Sequence, residues 1–227
     1  MKRRFLSLGL FSLLGLVAVL GAASGSSASP PPPATGHVYW AQYATGTVAR
    51  ANLDGTGVNQ SFISGGSNVQ DVAIDAGHIY WPESNTGVIG RANLDGTGVD
   101  HSFITGASAP TGITVDAGHV YWTNLGNDTI GRANLDGTGA NQSFITGANG
   151  IRHIVVDAGH IYWANVGSDT IGRANLDGTN VNQSFITGAS GPDGIAVDSG
   201  HVYWSNYYAD TIGRANQIGR ASCRERV

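Results

Sequence analysis

From residue 36 onward the apolar positions come in short clusters rather than long runs. Between 152 and 187 they form RHIVVD (152–157), HIYW (160–163), TIGRANL (170–176) and NQSFIT (182–187), with Gly, Asp, Asn and Ser between them. Val, Ile, Tyr, Trp, Phe and Thr dominate these clusters, and helical spacing is nowhere sustained long enough for a helix, so the pattern predicts strands. IVV and VYW are apolar at consecutive positions, as in a sheet covered on both faces. The segments between clusters carry turn chemistry: DAGH joins the first run to the second, and NLDGTG joins the third to the fourth. Asp-Gly readily supplies the positive φ of a tight hairpin.

The same cluster order returns at a fixed interval. Trp40, Trp81, Trp122, Trp163 and Trp204 lie 41 residues apart, each after a Tyr, with no insertion between copies. The units run 36–76, 77–117, 118–158 and 159–199, with a partial fifth at 200–216. A period near 40 suggests propeller blades or a solenoid. Four strands per unit and no repeated exposed face favour blades, so the expected fold class is all-β, a β-propeller of four-stranded blades. Each Trp offers ~200 Å² of apolar surface and is expected between blades. Gly90, Gly131, Gly172 and Gly213 would leave room on the third strand for that ring. Arg50, Arg91, Arg132, Arg173 and Arg214 are expected to meet a repeated acid or carbonyl.

YWAN, YWTN and YWSN, followed by a strand, LDG, a second strand and P-x-G-I-x-V-D, resemble the YWTD repeat, the class B repeat of low-density-lipoprotein receptors. That repeat also occurs in bacterial secreted proteins. The resemblance spans 36–216 and implies a six-bladed propeller used for binding or scaffolding, with no catalytic site that travels with the motif. Where the family's motif ends in Asp, this chain has Gln42, Glu83, Asn124, Asn165 and Asn206, so any role of that carboxylate carries over only in part. Set against six blades, the repeats amount to an incomplete arc of about four and a half.

The ends differ from the repeats. Lys2, Arg3 and Arg4 precede an apolar run from Phe5 to Leu20, so residues 1–28 read as a signal peptide and the protein as secreted. An uncleaved anchor is the alternative, though the run is shorter than the ~20 residues of a spanning helix. Residues 29–35 read as a Pro-rich linker. Residues 217–227, QIGRASCRERV, break the repeat and match a translated sequencing adapter. Cys223 lies in that segment, leaving 36–216 without cysteine, and hence without disulfides. Over 36–216 six Arg stand against fifteen acids. That balance repels phosphate backbones and argues against nucleic acid or an anionic membrane as partner.

Candidate chemistry is sparse. His37, His78, His119, His160 and His201 recur one per unit in the DAGH turn, spaced around a ring rather than gathered as metal ligands would be. Asp54, Asp95, Asp136 and Asp177 lack the alternating oxygen series of a calcium loop. No metal or cofactor is expected, and there is no G-x-S-x-G elbow, CxxC pair or phosphate-cradling loop. With strands alternating up and down, DAGH and NLDGTG fall on one face. The loop between the second and third strands and the link to the next blade fall on the other, where the copies diverge. The links feed the innermost strands at the channel mouth. Gln70 and Asp71, Thr111 and Gly112, Arg152 and His153, and Asp193 and Gly194 hold equivalent places there, with Tyr43, Glu83, Tyr207 and Tyr208 on the surrounding loops. Asp71, Glu83, Arg152, His153, Asp193, Tyr207 and Tyr208 are therefore the candidate ligand-binding residues. The expected ligand is a protein, peptide or glycan; the alternative is a metal-dependent hydrolase or lyase site at the channel mouth.

Overall fold

The computed structural model describes residues 36–217; the segments read as signal peptide and linker and all but the first residue of the 217–227 segment lie outside the described residues. Blade 1 holds β1 (His37–Gln42), β2 (Thr47–Asn52) and β3 (Asn59–Ile63). Blade 2 holds β4 (Ala73–Ile74), β5 (His78–Glu83), β6 (Val88–Asn93) and β7 (Asp100–Thr105). Blade 3 holds β8 (Pro110–Val115), β9 (His119–Asn124), β10 (Thr129–Asn134) and β11 (Asn141–Ile145). Blade 4 holds β12 (Ile151–Val156), β13 (His160–Asn165), β14 (Thr170–Asn175) and β15 (Asn182–Thr187). Blade 5 holds β16 (Pro192–Val197), β17 (His201–Asn206) and β18 (Thr211–Asn216). Within each sheet the strands follow chain order and pair antiparallel, so three sheets have four strands and two have three. The inner strands β4, β8, β12 and β16 pack side by side from blade to blade.

The pleat explains why the strands are apolar on both sides. Trp163 faces back, joining Tyr121, Ile130, Ile145, Ile151, Ile154, Ile161 and Ala174 in the core between blades 3 and 4. Tyr162, the next residue back along β13, faces forward into the core shared with Val202, Trp204 and Ala215 of blade 5. Four such cores join the five sheets. In the register Trp122 lies opposite Gly131, and a Cβ on Gly131 would sit 2.1 Å from the indole Cε2. The glycine is therefore the contact surface of the ring, as the sequence suggests.

Arg50, Arg91, Arg132 and Arg173, four of the five repeated arginines, find a carbonyl. Arg91 donates to the Leu135 carbonyl of blade 3 at 3.2 Å and lies 4.1 Å over the Phe103 ring; Arg132 repeats this with Leu176 and Phe144. Each guanidinium thus ties its blade to the next while covering an aromatic face. Arg173 reaches the Gln217 carbonyl at 2.9 Å in the same way.

Candidate functional site

The two classes of loop separate as expected. On one face Asp116 closes the DAGH turn: its Oδ1 accepts the Gly118 and His119 amides at 2.7 Å and its Oδ2 accepts the Tyr121 hydroxyl at 2.9 Å. Burial pushes the Asp116 carboxyl up, but these donors outweigh it and hold it below its ordinary value. The Tyr162 phenol, buried and bound to Asp157, is pushed up to about 12. The turn histidines sit beside these aspartates, His119 Nδ1 lying 3.6 Å from Asp116 Oδ1. Asp136 closes the LDG turn by accepting the Thr138 amide at 2.9 Å and hydroxyl at 2.6 Å. The two turns meet where Leu135 N donates to the Gly118 carbonyl. These residues hold turns.

On the other face the divergent loops bond to one another. Gly66 N donates to Gly46 O, Ala107 N to Gly87 O, Gly126 N to Ser108 O and Tyr208 N to Ser190 O, at 2.9 to 3.2 Å. From blade 3 onward an aspartate joins this lacing: Asp128 Oδ1 accepts the Gly150 amide at 2.8 Å and Asp169 Oδ1 the Gly191 amide at 2.7 Å. Tyr207 and Tyr208 project from this face, 62% and 68% exposed, with ring centroids 5.4 Å apart in an edge-on pair. Tyr43 is also exposed here, its hydroxyl 3.4 Å from Asn68 Nδ2.

Around the inner strands Asp71 and His153 are both buried. Asp71 Oδ2 accepts the Ile113 amide of β8 at 2.9 Å and Oδ1 accepts Val72 N at 2.8 Å. Burial pushes this carboxyl up, opposed by the field of His153 and by the two amides. Gly112 lets the inner strands close, since a Cβ there would lie 2.6 Å from the Arg152 carbonyl. That carbonyl accepts Thr123 Oγ1 at 2.6 Å. Asp193 lines a cavity of about 320 Å³ with Ser205, Asn206, Tyr207, Asp210, Thr211 and Ile212, and its Oδ1 is buried without a hydrogen-bond partner among the described residues.

Glu83 departs from expectation. It ends β5 at 3% exposure instead of standing on a surrounding loop. Its Oε1 accepts Trp81 Nε1 at 3.0 Å and contacts His101 Nδ1 at 2.6 Å, while Oε2 accepts the Ser67 amide at 3.1 Å and Thr86 Oγ1 at 3.3 Å. Asn206, at the equivalent place in blade 5, likewise accepts its indole N–H, from Trp204 at 2.9 Å. His101 was not among the sequence candidates, although Gln60, Gln142 and Gln183 at the equivalent positions mark it as the odd member. Among the described residues no group of three or more His, Cys, Asp or Glu is placed to hold a metal ion.

Residues 159–199, one complete repeat, match the family described as low-density lipoprotein receptor repeat class B. No curated protein sequence matches the chain. Among solved structures, a chain of a nidogen/laminin complex superposes at TM-score 0.71 with 22% identity, covering 82% of this chain and 73% of that one. A catalytically inactive virginiamycin B lyase from Staphylococcus aureus with quinupristin gives 0.67 and 24%, covering 83% and 66%. A gluconolactonase from Xanthomonas campestris gives 0.67 and 16%, covering 82% and 70%. At these identities the likeness is one of fold, and the fold is shared by binding proteins and enzymes. The chain has the β-propeller fold, built from blades of which one matches the class B repeat.

Proposed function

We propose that the chain is a secreted, non-enzymatic binding or scaffolding module of the YWTD type, six-bladed when complete, whose ligand docks on the face of the divergent loops. The observation that carries this reading is the lacing of those loops into one continuous surface bearing Tyr43, Tyr207 and Tyr208, while the near-identical turns occupy the opposite face. Exposed tyrosines are the anchors of protein and glycan recognition: large, rigid and amphipathic. The ligand is a protein, peptide or glycan. Screening the protein on peptide and glycan arrays, then titrating the captured ligand, tests the proposal. Tyr207→Ala, Tyr208→Ala and Arg152→Ala should each weaken binding about ten-fold or more, as hot-spot truncations do. His119→Ala should leave it unchanged, and the reverse pattern would reject the face assignment.

A second reading, a metal-dependent hydrolase or lyase at the channel mouth, is favoured by Asp71 and His153 lying within electrostatic reach of each other among the inner strands. Metal analysis of the purified protein together with a lactone and cyclic-ester hydrolysis screen separates the two. Stoichiometric metal and turnover lost in His153→Ala would favour the second.

A further inference from the structure

Each blade from 1 to 4 reaches forward to the next through an arginine. Arg50, Arg91 and Arg132 donate to the carbonyls of Leu94, Leu135 and Leu176 at 3.5, 3.2 and 3.3 Å, and Arg173 to that of Gln217 at 2.9 Å. Tyr39, Tyr80 and Tyr121 give their hydroxyls to the same three leucine carbonyls. Among the described residues this leaves Arg214 of blade 5 with no carbonyl to donate to, and the Leu53 carbonyl of blade 1 with no arginine on it. The charges are unmatched at the same two places. Asp95, Asp136 and Asp177 are held below the ordinary carboxylate value by their threonines and, beyond that, by Arg50, Arg91 and Arg132. Asp54 is held low by Thr56 with no arginine acting on it.

The apolar side chains repeat this pattern. Ile89, Ile130 and Ile171 face forward into the cores with the next blade and are fully buried, but Ile212, their equivalent in blade 5, is 59% exposed. Ile79, Val120, Ile161 and Val202 face back into the cores with the preceding blade and are fully buried. Val38, their equivalent in blade 1, is only partly buried, and so is Trp40, whereas Trp81, Trp122 and Trp163 are fully buried. Blade 5 thus has an open forward face bearing Tyr203, Ile212 and Arg214. Blade 1 has an open back face bearing Val38 and Trp40, with the Leu53 carbonyl and Asp54 at its turn.

We propose that these two faces meet between molecules: blade 1 of a second copy of this chain seats on the forward face of blade 5. Val38 and Trp40 of the second copy pack on Tyr203 and Ile212, and Arg214 bonds the partner's Leu53 carbonyl beside the partner's Asp54. The contact continues the series of four blade-to-blade cores within the chain, and those cores specify its occupant. Each consists of an aliphatic side chain and an indole from the following blade, with a turn carbonyl and an aspartate set to meet a guanidinium. The six-bladed reading puts a further unit between these faces; a second copy brings the same groups from outside. The divergent-loop face takes no part, so the proposal stands apart from the ligand reading above. Two different surfaces meet, so association is head-to-tail.

Sedimentation and light scattering of the full chain across a concentration series test this. The mass should rise above that of one chain as concentration increases. Ile212→Asp closes the forward face and Val38→Asp the back face, so each variant alone should remain a monomer. Mixed, the two should form a one-to-one pair and nothing larger, because each retains the face that the other lacks. Arg214→Ala should weaken association about ten-fold, the scale of a hydrogen bond to a charged group. Arg214 and Ile212 are exposed side chains, so the forward face is read even where Val38→Asp does not fold. A chain that stays monomeric at every concentration overturns the proposal. So does association that survives Ile212→Asp, or a mixture of folded variants that fails to pair.

Discussion

At the scale of single residues, the repeat is held by Trp–Gly pairs, with Ala49 opposite Trp40 in the first copy. Trp122 is fully buried against Gly131, whose missing side chain is the ring's contact surface. Gly131→Ala should cost about 1–3 kcal/mol by forcing the indole aside, and Trp122→Ala about 3–5 kcal/mol through the cavity left behind. Thermal and denaturant unfolding measure both, and an unchanged melting temperature in either would contradict the packing. The tryptophans and their glycines are legible from sequence because they recur in phase. Glu83 was not, because a carboxylate at the motif's last position looks like a surface group until Trp81, Ser67 and Thr86 are seen around it. Trp81 and Thr86 lie within three residues of it, but the Ser67 amide comes from the link sixteen residues earlier.

At the scale of the element, the DAGH turns closed by Asp75 and Asp116 are small acid-labile devices. Asp116 is raised by burial but lowered further by the Gly118, Tyr121 and His119 donors, for a net fall; Asp75 behaves alike. A carboxyl depressed on folding contributes stability that is present above its unfolded value and is lost as pH falls through its folded value. Asp116→Asn should therefore destabilise by ~1 kcal/mol at pH 7, the scale of hydrogen bonds to a partly exposed charge. The gap from the unmodified protein should close in acid. Urea titrations from pH 7 to pH 2 follow it, and a gap that widens in acid would show that charge is not the cause. The turns were predictable from Asp-Gly chemistry. The lacing of the divergent loops was not, since it depends on backbone groups that no side-chain pattern reports.

At the scale of the whole molecule, stability is shared among four cores, each made by two sheets. Trp81 belongs to the core of blades 1 and 2, and Trp163 to that of blades 3 and 4, with no residue in common. Their alanine variants should therefore add, to within about 0.5 kcal/mol, in the double variant. Trp122 and Tyr80 share one core, and Trp122→Ala with Tyr80→Phe should depart from additivity. Denaturant midpoints of the two double variants decide between neighbour-limited and ring-wide coupling. The sequence shows the architecture because every copy repeats it. It shows much less of the site, because a site lies where the copies stop agreeing and no internal comparison constrains them.

The forward-facing tyrosine and backward-facing tryptophan of adjacent strand positions have a consequence for how such a chain arises. Each unit carries both halves of a joint, a socket on one side and the matching plug on the other. A gene duplication that inserts one more unit in phase inserts a finished contact on each flank, needing no compensating mutation. Selection can then alter one unit's exposed loops, or exchange a glutamine for a histidine in a single copy, while the joints stay interchangeable.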